Sequence, residues 1–154
     1  MAVQLDTNTG LLPVGEHQMD WRRVCELFGT TTHRQNLLEL MLEACIILRA
    51  AGVPKVWLNG SFVTSKHRPG DYDLSYELNE EIFTSLPDDP FKQKDADRII
   101  RARFAGDIKA EPMHDGATYH EDLFPNVVGH NHQVQAIHGV KKGIVVLPLS
   151  TLPT

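Results

Sequence analysis

Trp57-Leu58-Asn59-Gly60-Ser61-Phe62-Val63-Thr64-Ser65-Lys66-His67-Arg68-Pro69-Gly70-Asp71-Tyr72-Asp73-Leu74-Ser75-Tyr76 is the stretch whose reading decides the fold. It reads as an apolar strand ending at a tight Gly-Ser turn, a short connection, and a second strand that opens after Pro69-Gly70. Alternate side chains of a strand share a face. Asp71 and Asp73 therefore stand together, while Tyr72 and Leu74 face the other way. Two carboxylates about 6.5 Å apart, at an effective dielectric near 20, repel by roughly 2–3 kcal/mol. Unless a cation stands between them, one carboxyl is pushed well above its ordinary range. Mg²⁺ is the natural counter-charge, because it prefers hard oxygen ligands and commonly binds together with substrate phosphates. Gly60 has no Cβ and lets a ligand approach the backbone, and Ser61 adds a hydroxyl and an N–H for a phosphate oxygen. Alone, an Asp-x-Asp is more often a solvated strand face and a Gly-Ser more often a turn. Their combination at this spacing is what points to a site.

The bulk properties set bounds. A chain of 154 residues is expected to form one domain, 1–154, large enough to bury a core without staples. Its 42% hydrophobic and 23% charged residues are ordinary for a globular protein. The net charge of −5 argues against a broad nucleic-acid surface and leaves room for a local basic groove. Cys25 and Cys45 fall inside apolar helical patterns and read as small buried hydrophobes, so no disulfide framework is implied. Asp6 comes early, no apolar run follows a basic start, and no stretch has the length of a membrane span, so a cytoplasmic protein without membrane attachment is expected.

Outward from the central stretch, residues 1–19 read as an irregular lead-in. Asp20 caps a short helix carrying Trp21, Val24, Cys25 and Phe28, and Gly29 stops it. Thr32 with Gln35 makes a capping-box pattern for the main packing helix. The apolar stripe of that helix is Leu37, Leu38, Met41, Leu42, Cys45 and Leu48, and Gly52 ends it. Residues 53–58 form the first strand, 62–66 the first turn of a helix, and 71–78 the second strand. A helix start there suits a triphosphate, and Lys66, His67 and Arg68 add charge or simply form an exposed loop. Asp89-Pro90 suits an N-cap and first helical position, with 91–103 helical and Ala96, Ile99, Ile100 and Arg103 on one side. Lys94, Arg98 and Arg101 make a basic stripe, read first as a solvated face. Residues 104–112 return to strand, with Ala105, Asp107 and Lys109 on one face and Phe104, Gly106, Ile108 and Ala110 on the other. His114, His120, His130, His132 and His138 follow without the spacing of a zinc site. Residues 119–124 read as a short helix, and 143–149 as a last strand or an edge packed on the core.

The central pattern resembles the signature of the nucleotidyltransferase superfamily, the DNA polymerase β-like fold, in which Gly-Ser is followed by Asp-x-Asp. The wider chain is similar to a group of small bacterial and phage nucleotidyltransferase-like proteins. The matching pieces include Leu12-Pro13-x-Gly15-x-His17, Leu27-Phe28-Gly29, Arg34 with Leu37-Leu38, Leu48-Arg49-x-Ala51-Gly52-Val53, Gly106-Asp107 and Lys142-Gly143-Ile144-Val145. The resemblance implies an α/β (α+β) domain, a small mixed β-sheet flanked by helices. It implies an enzyme that moves a nucleoside monophosphate from a nucleoside triphosphate to a hydroxyl acceptor with Mg²⁺ or Mn²⁺. Asp71 and Asp73 would be the first two metal-binding carboxylates and Asp107, or alternatively Glu111, the third and the candidate base. Gly60 and Ser61 would seat phosphates, with Lys66 as an extra phosphate contact. Acceptors across the superfamily include RNA, proteins and small molecules, and small members occur in phage-defence and toxin–antitoxin settings. Two other readings stand beside transfer: a non-catalytic nucleotide-binding or antitoxin-type module, and a metal-dependent phosphohydrolase attacking with water. The nucleotide, the acceptor and the oligomeric state are left open.

Overall fold

The computed structural model describes residues 2–112 and 143–153. Among the described residues five strands form one mixed sheet in the order β1-β5-β2-β3-β4. They are β1 (Glu16–Gln18), β2 (Lys55–Asn59), β3 (Tyr72–Leu78), β4 (Gly106–Pro112) and β5 (Ile144–Pro148). β2 is antiparallel to both β3 and β5, whereas β3 runs parallel to β4 and β1 parallel to β5. Four α-helices among the described residues accompany them: α1 (Trp21–Phe28), α2 (Thr32–Ala50), α3 (Glu80–Ser85) and α4 (Ala96–Phe104). A small mixed sheet flanked by helices is therefore the architecture.

Strand parity assigns the two faces. Val56, Leu58, Leu74, Tyr76, Ile108, Val145 and Leu147 lie on the core face, where they join Val24, Phe28, Met41, Leu48, Ile100 and Phe104 of the helices in one buried cluster. The other face carries Trp57, Asn59, Asp73, Ser75, Asp107 and Lys109 in register. Cys45 is fully buried and burial pushes its thiol up to about 12, and Cys25 is shifted the same way, so neither presents a reactive thiolate.

Several boundaries differ from the sequence reading, each for a physical reason. The lead-in contains β1, which owes its three residues to pairing with β5 far along the chain. The cap of α2 is Thr31, whose hydroxyl accepts from Arg34 N, and the predicted Thr32 is already helical. Residues 62–66 do not start an α-helix: a single 3-10 turn spans Ser61–Val63 and Thr64 is already extended. Asp89-Pro90 does not open α4, which begins at Ala96, so Lys94 lies outside the helix and the basic stripe is shorter than predicted. Of the predicted apolar side of that helix, Ile100 is buried and Arg103 is exposed and paired with Asp89. Phe104 belongs to α4, and Ala105 makes the left-handed turn (φ 56°) into β4. α3 went unread in the sequence, although Asn79 accepts from Ile82 N as an N-cap and Glu80 and Glu81 fill its first turn. β5 is the last strand, as one of the two readings has it, and it lies inside the sheet between β1 and β2: Ile144, Val145, Val146 and Leu147 are all buried, which is how a strand covered on both faces reads. The five histidines and the 119–124 helix lie outside the described residues.

Candidate functional site

The candidate site is the end of the sheet where β2 finishes and β3 and β4 begin. β2 delivers Asn59, whose side-chain oxygen accepts from Gly60 N at 2.8 Å. Gly60 then takes φ 79° and ψ −168°, a region open essentially to glycine alone. A Cβ at this position would lie 1.8 Å from Asp73 Oδ2, so the Asp73 carboxylate rests directly against the Gly60 backbone. The glycine is required twice, by its dihedral angles and by its neighbour.

Asp73 lies opposite Asn59 on one side and opposite Asp107 on the other. Neighbouring strands are about 4.8 Å apart, so the Asp73 and Asp107 backbones are adjacent and their side chains leave the same face. Glu111 is opposite Glu77, four register pairs further along, so Asp107 is the acid that the fold places beside Asp73. Asp71 immediately precedes β3 and belongs to the same end. Burial raises its carboxyl above the ordinary value. The charge of Asp107 raises it further, while Arg101 and Lys66 pull it back. Lys66 is likewise held low by burial and partly restored by Asp71.

Asp107 is engaged by two cations: Lys109 Nζ at 3.4 Å and Arg101 Nη2 at 3.6 Å from its Oδ1. Lys109 also donates to Asp97 Oδ2 at 2.8 Å. The donor set of Asp71, Asp73 and Asp107 is the all-oxygen chemistry that a hard divalent ion takes. Among the described residues, however, no three His, Cys, Asp or Glu side chains converge as a finished metal-binding group. Asp107 would have to exchange its ammonium and guanidinium partners to become a ligand.

The segment after Gly60 is held from beneath by Arg34, which sequence reasoning cited only as part of a resemblance. Arg34 is 1% exposed, and among the described residues its guanidinium donates to backbone carbonyls. Nη1 donates to Phe62 O and Phe28 O, Nη2 to Thr64 O and Lys66 O, and Nε to Lys66 O. The Phe62 ring lies 5.0 Å beneath the guanidinium carbon. Burial draws the pKa of Arg34 down to about 10, so it stays charged at neutral pH. Thr64 completes the hold: its hydroxyl donates to Ser61 O at 2.6 Å and accepts from Lys66 N at 3.1 Å. A buried arginine on the otherwise apolar face of α2 was the available signal in the sequence.

The chain belongs to a family of unknown function, DUF6932, whose model matches residues 3–148. No curated protein and no solved structure matches it. No described helix is long and apolar enough to cross a membrane.

Proposed function

We propose that the chain is a metal-dependent nucleotidyltransferase that moves a nucleoside monophosphate from a nucleoside triphosphate to a hydroxyl acceptor. The observation that carries this reading is the register of three adjacent strands. Gly60-Ser61 follows β2, Asp71 immediately precedes the antiparallel β3 with Asp73 inside it, and Asp107 stands opposite Asp73 on the parallel β4. Asp71, Asp73 and Asp107 would hold Mg²⁺ or Mn²⁺, which when bound neutralises phosphate oxygens and makes the acceptor hydroxyl more acidic. Gly60 leaves room for the Asp73 carboxylate against the backbone, Ser61, itself buried, would offer a hydroxyl and an N–H to a phosphate that reaches it, and Lys66 adds a positive charge on the Asp71 side. An Asp107 carboxylate oxygen released from Arg101 and Lys109 is the acceptor for the attacking hydroxyl's proton. Asp71 is costly to leave charged and unpaired, which is the condition an ion relieves.

A second reading, nucleotide binding without turnover, is favoured by one observation. The Asp107 carboxylate is already occupied by Arg101 and Lys109. The test is a labelling assay with each α-labelled nucleoside triphosphate, Mg²⁺ or Mn²⁺ and cell extract, run beside an Asp71→Ala/Asp73→Ala variant. Transfer predicts label on RNA, protein or a small molecule only with the intact carboxylates. Mg²⁺-dependent nucleotide binding without label supports the binding module, and nucleotide consumption without a labelled acceptor supports a phosphohydrolase. Equal labelling by the double variant sinks the carboxylate assignment.

A further inference from the structure

We propose that Arg34 is a positioning residue that holds the 61–66 segment as a rigid phosphate-facing platform. This inference rests on the nucleotidyltransferase reading of the same site. A buried cation normally has a carboxylate partner. Among the described residues every acceptor of Arg34 is instead a carbonyl, and three of the four, on Phe62, Thr64 and Lys66, belong to the short segment between Gly60 and Asp71. The 3-10 turn ends at Val63 and Thr64 is already extended, so strand periodicity alone does not align these groups. The hydrogen bonds to Arg34 gather the carbonyls of residues 62, 64 and 66 on one guanidinium and so fix the path of the backbone that carries Ser61 and Lys66.

Phe62 and Val63 are fully buried, and among the described residues a few further hydrogen bonds hold the segment. Thr64 spans Ser61 and Lys66, and Ser65 N donates to Gly10 O at 2.9 Å. The charge of the clamp and its five N–H donors in a fixed fork make this a geometry that lysine, with its donors on one atom, cannot reproduce. The segment carries Ser61 and Lys66 but has no helix of its own beyond one 3-10 turn. Without the clamp, the ordering entropy of these residues falls on the ligand.

The probe is Mg²⁺ with inorganic tripolyphosphate, which tests the phosphate platform without naming a base, and binding is read by calorimetry. Arg34→Lys is expected to weaken binding on the order of tenfold, because ordering the loosened segment then falls on the ligand. Thr64→Val, nearly isosteric and suited to the extended φ of −133°, is expected to weaken it in the same direction while keeping the fold. Lys66→Met is expected to cost less in the Arg34→Lys background than in the unsubstituted chain, because a mispositioned Lys66 has less to lose. Amide exchange over residues 61–66 is expected to quicken in both loosened variants and to be unchanged elsewhere. Folded Arg34→Lys and Thr64→Val variants with unchanged binding and exchange would overturn the positioning role and leave the site reading intact. Absence of binding by the unsubstituted chain, or binding that survives Asp71→Ala/Asp73→Ala, would overturn the site reading itself and this inference with it.

Discussion

Replacing Gly60 with alanine tests the backbone and the site with one methyl group. The first cost is conformational. At φ 79° and ψ −168° an L-residue is strained by about 1–3 kcal/mol. For a chain of this length each kcal/mol lowers the melting temperature by about 2–4 °C, so the expected drop is about 2–12 °C. The protein stays folded, since stabilities of 5–15 kcal/mol are usual. The second cost is steric. The new Cβ would lie 1.8 Å from Asp73 Oδ2, 2.9 Å from its Cγ and 3.3 Å from its Cβ. The atom struck hardest is the tip of a side chain, so the carboxylate rotates away and the backbone stays in place. A ligand displaced by about an ångström commonly loses a hundredfold in rate. Gly60→Ala should therefore lose about a hundredfold in label transfer, read beside a thermal melt of the same preparation. Gly70→Ala is the control, because no described residue lies within 4 Å of a Cβ there. A Gly60→Ala protein that melts lower but transfers label at the full rate would refute the claim that Asp73 works against Gly60. One that melts unchanged would refute the dihedral argument.

Two further outcomes are expected. The Asp71 carboxyl is raised in the folded chain, so its contribution to stability is full below the unfolded value near pH 3.8 and lost as pH rises through the folded value. Asp71→Asn should therefore melt higher than the unsubstituted chain at pH 7, with the gap closing toward pH 4, and Mg²⁺ should raise only the unsubstituted chain's melting temperature. A gap that does not change with pH would show that Asp71 is not the group responsible. On adjacent positions of β3, Leu74→Ala should cost about 2–5 kcal/mol in urea unfolding, because Leu74 is fully buried in the core, whereas Asp73→Asn should cost under about 1 kcal/mol. Equal costs would make Asp73 a structural residue.

The site was legible in outline because strand parity acts over two residues. Asp71-x-Asp73 and the apolar Tyr72 and Leu74 declare their faces locally, and Asp107 shares the parity of Lys109 by the same rule. Boundaries were less legible. The turn after Gly60 read as a helix start from its composition, yet the Arg34 hydrogen bonds draw the carbonyls at 62, 64 and 66 to one side, which a helix cannot do. β1 is too short to show a period, and α3 is a six-residue helix whose N-cap signal at Asn79 was passed over.

By itself, the order of residues determined the local alternatives: which segments bury a face, where Gly60 permits a turn, and which acids share a side of β3 and β4. Those are near-neighbour consequences of side-chain geometry and solvation. Only the tertiary structure decided that β5 enters the middle of the sheet, that Asp107 and not Glu111 stands opposite Asp73, and that Arg34 reaches across to clamp the segment after Ser61. Each of these joins residues far apart in the chain. Pairing register and burial are settled by the packing of the whole sheet against its helices, which no local window contains.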